Sequence, residues 1–185
     1  MTRLVAVFLC LLLSACGPHA AMYLSPKLPA TAETAGMKVV DSRIPKPLVV
    51  DPKPGEVIAA SMAPPPQPQQ SKILGQVWGM VLALDGPRTV ADTVASIVAT
   101  KYPKSRVDLF DCRSEVVHGA WMKDFNVYIS AHVSSGGNTM VVNAKGTNLW
   151  STLTPENMSL AYERAFDDFA QKIAAAPADL SQVVQ

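Results

Sequence analysis

The chain is expected to fold as an α+β domain: an antiparallel sheet of about four to five strands with two helices packed mainly on one face. Three observations predict this. Residues 125–133 alternate strictly, with Phe125, Val127, Ile129, Ala131 and Val133 on one face, the period-two mark of a half-buried strand. Val90, Val94, Ile97 and Val98 fall at i, i+4, i+7 and i+8, one helical stripe, and Met158, Tyr162, Ala165, Phe166, Phe169 and Ile173 form a second. The order of elements (strand, gap, strand, helix, three antiparallel strands, helix) suits one sheet layered against helices.

The first fifteen residues stand apart. Arg3 supplies one positive charge, residues 4–13 are unbroken apolar, and Ser14-Ala15 are small. Basic start, apolar core and small residues make a secretory signal. Ten apolar residues fall well short of the roughly 20 that cross a bilayer as a helix. In place of an ordinary cleavage site, Leu13-Ser14-Ala15-Cys16-Gly17 resembles the lipobox of bacterial lipoproteins. The resemblance implies a signal peptide over 1–15 and a lipidated Cys16, carrying diacylglycerol on its thiol and an acyl chain such as palmitate on its amine. One acyl chain anchors only marginally, so three would anchor stably. Gly17 is not the aspartate associated with inner-membrane retention, which implies the periplasmic face of the outer membrane.

Removing residues 1–15 balances 15 basic against 15 acidic groups. That argues against nucleic acid, which needs a basic stripe, and against a polybasic membrane patch. Cys10 leaves with the signal and Cys16 is consumed by lipid, so Cys112 has no intramolecular partner for a disulfide. It reads as a small buried hydrophobe, with a bridge between chains as the minority reading.

Eleven of the 15 prolines lie between Pro18 and Pro68, which excludes continuous helix or central strand there. Residues 16–36 read as the lipidated Cys and a flexible tether, and 37–71 as a short strand followed by a proline-rich loop. The strand is residues 37–44, stopped by Pro45 and Pro47. Residues 48–50 and 56–59 are candidate edge strands. Residues 63–70 (APPPQPQQ) read as a polyproline spacer.

Residues 72–176 carry the α+β domain, with 177–185 as a tail. Residues 73–84 (ILGQVWGMVLAL) are apolar on both alternating faces apart from Gln76 and read as one strand covered on both sides. Asp85-Gly86-Pro87 turns the chain. Thr89 and Asp92 form a variant capping box for a helix that ends before Pro103, with Asp92, Thr93, Ser96 and Thr100 facing away from its stripe. In the strand over 106–117 the inward set jumps from Val107/Leu109 to Phe110/Cys112, which predicts a bulge near Leu109. Gly136-Gly137 occupy both positive-φ positions of a two-residue turn. That turn pairs Val133 with Met140, Ala131 with Val142 and Ile129 with Ala144. Thr154 caps the last helix with Pro155 at its first position, and Asp168–Lys172 is a favourable i, i+4 pair.

The lipobox, the strand Val39-Val40-Asp41-Ser42-Arg43, the long gap, the meander and a helix of the type Ala161-Tyr162-x-x-Ala165-Phe166-x-x-Phe169 together resemble the YajG-like lipoproteins. They also resemble the related auxiliary lipoproteins of ABC-type envelope transport systems. The resemblance implies a non-enzymatic, membrane-tethered periplasmic module that works by binding partners, and it supplies no catalytic residues.

Chemistry is sparse. His19 lies in the tether, His118 at a strand end and His132 on the polar face of the hairpin, without metal-ligand clustering. Cys112 and His118 would make a thiol–imidazole pair only with an orienting group that the sequence does not offer. Asp108, Asp111, Glu115 and Asp124 lack the spacing of a calcium loop. There is no G-x-S-x-G and no H-E-x-x-H. The chain is therefore expected to be no enzyme and to need no cofactor or metal. Asp41 and Arg43 share a strand face, as a surface ion pair or as a structural anchor or partner contact. The candidate partner contacts are Tyr128, Ser130 and His132, with Asn143 and Lys145 opposite, and Trp121 and Trp150 near strand ends. Self-association stays open. The expected role is an accessory or structural module in envelope assembly or transport, and the alternative is a lipid or glycan held between sheet and helices.

Overall fold

A computed structural model describes residues 21–43, 69–77, 80–118, 123–150, 154–178 and 180. Cys16, residues 48–50 and 56–59, the polyproline run 63–68 and Trp121 fall outside these residues. Among the described residues, seven strands and two α-helices make an α+β fold: β1 (Ala21–Leu24), β2 (Lys38–Asp41), β3 (Ile73–Val77), β4 (Met80–Leu84), α1 (Val90–Val98), β5 (Arg106–His118), β6 (Lys123–Ser135), β7 (Asn138–Trp150) and α2 (Pro155–Ala175).

The long meander is the frame. β5, β6 and β7 are each 13 residues and run antiparallel. Gly136 and Gly137 turn β6 into β7 at φ 61° and 86°, and the tight loop sets Val133 opposite Met140, Ala131 opposite Val142 and Ile129 opposite Ala144, as expected. The bulge also falls where the pattern jumps, with the register shifting between Leu109 and Asp111 around Phe110. β2 adds in parallel to the first part of β5, pairing Val39 with Val107, and Ser42 N–H continues the contact to Leu109 O at 2.9 Å.

The single sheet expected from the sequence is two sheets, ordered β1-β4-β3 and β2-β5-β6-β7. Residues 73–84 are not one covered strand but the antiparallel pair β3 and β4, with Val77 opposite Met80. In β4 the unbroken apolarity has a simple cause: Val81, Leu82, Ala83 and Leu84 are all buried, so no solvent face imposes alternation, whereas β3 keeps Gln76 exposed.

A second correction concerns residues 21–36. They are no free tether. Ala21–Leu24 pairs in parallel with Val81–Leu84, Leu24 is fully buried, and the following segment is held by Lys27 N–H to Glu163 and Ala32 N–H to Ser96 O at 2.8 Å. That segment also explains why Thr93 and Ser96, expected to face away from the α1 stripe, are buried. Their hydroxyls donate to Thr89 O and Thr93 O, at 2.9 and 2.7 Å, so burial strands no polar group.

Both helices pack on the inner face of the meander, α1 mainly against β5 and α2 against β6 and β7. Their caps form as expected: Thr89 accepts from Asp92 N–H and Thr154 from Asn157 N–H. Phe125, Val127, Ile129 and the α2 residues Met158, Tyr162, Phe166, Phe169 and Ile173 fill the space between. The start of the expected tail belongs to the core too, with Leu180 buried and Tyr102 O–H donating to Pro177 O.

Candidate functional site

Two surfaces carry the polar chemistry. The first is the outer face of the meander. Direct cross-strand partners share a face, and the register places Tyr128 between Arg113 and Lys145, Ser130 between Asp111 and Asn143, and His132 between Asp108 and Val141. Tyr128 is the centre of this surface. The Arg113 guanidinium stands 4.9 Å and the Lys145 ammonium 5.4 Å from its ring, both within cation–π range. Its hydroxyl donates to Glu115 at 2.6 Å, and that hydrogen bond, with some desolvation, raises its pKa. The His132 ring packs against Phe110 at 4.4 Å between centroids. Ser130 is buried in this row and is no free contact.

Tyr128, Ser130 and His132 therefore lie together, facing Lys145 and Asn143 as expected. Trp150 closes β7 opposite Lys123, far from Tyr128 along the strand.

The second surface is the seam between the two sheets. β3 runs beside β5 in the same direction, joined by side chains rather than a backbone ladder. The Cys112 thiol donates to Leu74 O at 3.2 Å and the Ser114 hydroxyl reaches Gln76 O at 3.5 Å. Arg43 completes the join. Its Nε and Nη2 donate to the two oxygens of Asp41 at 2.7 and 2.6 Å, Nη1 donates to Ile73 O, and Nη2 reaches Ser71 O at 3.4 Å. The Asp41–Arg43 pair is thus a clasp at the surface with Arg43 partly buried, and its bonds to Ile73 O and Ser71 O favour the anchor reading over a loose surface pair. Burial works to lower the Arg43 pKa, but the Asp41 hydrogen bond and neighbouring charges outweigh it. A cleft of about 350 Å³ opens over the seam, lined by Arg43, Ile73, Gln76, Phe110 and Arg113 among others.

Cys112, expected to be buried, is partly buried, packed against the edge of the core. Burial pushes its thiol up to about 12, against the opposing pull of Arg43, so it stays protonated and unreactive. It cannot pair with His118, because both lie on β5, six residues or about 20 Å apart. Asp111 pairs with Arg113 at 3.6 Å, and one Asp108 oxygen and the Tyr162 hydroxyl are buried without a hydrogen-bond partner among the described residues. Burial raises Tyr162 well above the usual phenol range. Among the described residues, no group of three or more His, Cys, Asp or Glu could hold a metal ion.

Two glycines shape these surfaces by letting neighbouring backbone and side chains approach closely. A Cβ on Gly146 would lie 2.0 Å from Ala161 O and 2.4 Å from Ala165 N, and one on Gly75 would lie 2.5 Å from Ser114 Oγ. Isolated glycine inside a strand pattern was the available signal, since it marks close backbone approach.

No protein-family model matches the chain, and no curated protein matches it. One solved structure, described as the crystal structure of an uncharacterized protein, is similar at 11% identity and a TM-score of 0.39. It covers 84% of this chain and 95% of that one.

Proposed function

We propose that this chain is a lipid-anchored periplasmic lipoprotein of the outer membrane, serving as a non-enzymatic accessory or structural binding module in an envelope assembly or transport system. The observation that carries the reading is Leu13-Ser14-Ala15-Cys16 closing a ten-residue apolar run behind Arg3. Only a cysteine can take the thioether-linked diacylglycerol, and nothing else in the chain accounts for one at that place. The resemblance to YajG-like lipoproteins and transport auxiliary lipoproteins supports the same role.

The outer face of the meander suits docking on a protein partner. Tyr128, held by two cations and Glu115, is a rigid amphipathic side chain of the kind enriched at interaction hot spots. The alternative, a lipid or glycan held between sheet and helices, gains no support, because Phe125, Tyr162, Phe166 and Phe169 fill that space.

The test is metabolic palmitate labelling of the full chain and of Cys16→Ser, followed by mild crosslinking and identification of copurified envelope proteins. Labelling that depends on Cys16, with a partner lost on Tyr128→Ala, is the expected result. Labelling that persists in Cys16→Ser overturns the anchor, and copurification of no partner overturns the docking role.

A further inference from the structure

The anchor and the fold together define which end of the domain meets the membrane. Only five Cα steps separate Cys16 from Ala21, where β1 begins, a reach of at most about 18 Å fully extended. The long tether expected from the sequence would have freed the domain to tumble above the headgroups; a link this short does not.

Strand directions identify the end where β1 starts. Ala21 pairs in parallel with Val81, beside the closure where Val77 meets Met80. Leu74 lies by Cys112 and Gln76 by Ser114, so β5 runs with β3 and its last residues reach the same end. Lys123 pairs with His118 and with Trp150, which brings the start of β6 and the finish of β7 there too. At this end Val117 and Leu149 flank Asp124 in one cross-strand row of the outer face, and they are 46% and 59% exposed. Two of the four large apolar side chains that the described structure exposes thus lie together at this end; Val141 lies eight residues up β7 from Leu149, about 27 Å away, and Tyr23 lies on β1 level with Ile73.

We infer that this end, with Val117 and Leu149 at its tip, seats on the lipid bilayer that holds Cys16. The long axis of the meander then stands away from the surface, with the Gly136-Gly137 turn outermost. The inference rests on the lipoprotein reading. Apolar side chains there are satisfied by the headgroup–acyl boundary, while Asp124 stays at headgroup level. The row containing Tyr128 is carried about 14 Å above Asp124, clear of the headgroups and open to a protein partner.

The experiment uses the full lipidated chain in phosphatidylethanolamine/phosphatidylglycerol vesicles, with an environment-sensitive fluorophore at Val117→Cys, Leu149→Cys or, as the control on the same strand face, Val141→Cys. The chain without an added cysteine corrects for labelling at Cys112. Mass analysis of the N-terminal peptide reports lipidation separately. Labels at 117 and 149 are expected to shift to the blue and to lose intensity with headgroup-nitroxide lipid, and the label at 141 to do neither. Equal response at 141 and 149, or response at none of the three in lipidated protein, overturns the orientation alone. An unmodified Cys16 overturns the orientation and the reading beneath it.

Discussion

Two strand margins of this domain are closed by different means. Along β7, the outer margin of the meander, α2 lies across the strand and its side chains take up the free backbone. Lys145 N–H donates to Asp168 at 2.9 Å, Lys172 donates to Asn143 O at 2.7 Å, and Arg164 donates to Thr147 O at 2.5 Å. Along β5 the neighbour is another strand, β3, and the closing groups are Cys112, Ser114 and the Arg43 clasp. Each margin has a glycine at its tightest point. Gly146 faces rigid helix backbone, whereas Gly75 faces first the hydroxyl of Ser114 and only then backbone, with Ser114 N at 3.1 Å. Unpaired strand edges invite pairing with other chains. Here one is covered by a whole helix, and the other is fastened by a few polar side chains.

The comparison predicts a ranking. Gly146→Ala should be the most damaging change, about 3 kcal/mol by chemical denaturation, because neither Ala161 O nor Ala165 N can move without displacing α2. Arg43→Met should cost about 2 kcal/mol by removing charge-assisted hydrogen bonds to Asp41 and leaving strand carbonyls unmet; a loss as large as that of Gly146→Ala would reverse the ranking of the two margins. Gly75→Ala should cost about 1.5 kcal/mol. In the double variant Gly75→Ala/Ser114→Ala the two losses should add to less than their sum, since the nearest clashing atom is gone. Thr154→Ala, which removes the cap that fixes the start of α2 near β7, should cost about 1 kcal/mol.

One effect appears only in alkali. The Cys112 thiol is raised from an ordinary 9.0 to about 12 in the folded chain. Its contribution is therefore complete below pH 9 and lost as pH climbs from about 9 toward about 12. Stability of Cys112→Ala should fall less steeply over that window than that of the parent chain. The buried Tyr162, shifted in the same direction, leaves part of the slope in place. An unchanged slope would mean the seam thiol is already open to water.

The two margins also differ in how readable they were. The α2 stripe, its cap and the register of β6 on β7 all follow from local patterns, because a two-residue glycine turn and a period of 3.6 are properties of neighbours in sequence. The margin along β5 was largely illegible. Its partner β3 is 38 residues away from Cys112 and Ser114 and 30 from Arg43, and β3 and β4 read as one apolar run broken only by Gln76. Asp41 and Arg43 were visible as a pair, but the carbonyls of Ser71 and Ile73 that turn the pair into a clasp were not. At the outer-face site, Tyr128, Ser130 and His132 were found by alternation alone. The bulge falls where the inward set jumps, but Phe110, expected to point inward, stacks instead on His132 of the outer face.

By itself the sequence determined the α+β class, the hairpin register, both helix caps, the bulge and the expectation of a lipid at Cys16. Each depends on residues within one or two turns or across one tight loop. Only the tertiary structure decided that residues 21–24 form a strand rather than a tether, that the sheet is two sheets, and that α1 is buried on nearly every side. Those outcomes depend on parallel pairings, β1 on β4 and β2 on β5, between segments some 60 to 70 residues apart. A parallel partner leaves no turn in the sequence to announce it. A four-residue strand such as Ala21–Leu24 is too short to show its period, so burial against β4 made it a strand and left five Cα steps between it and Cys16.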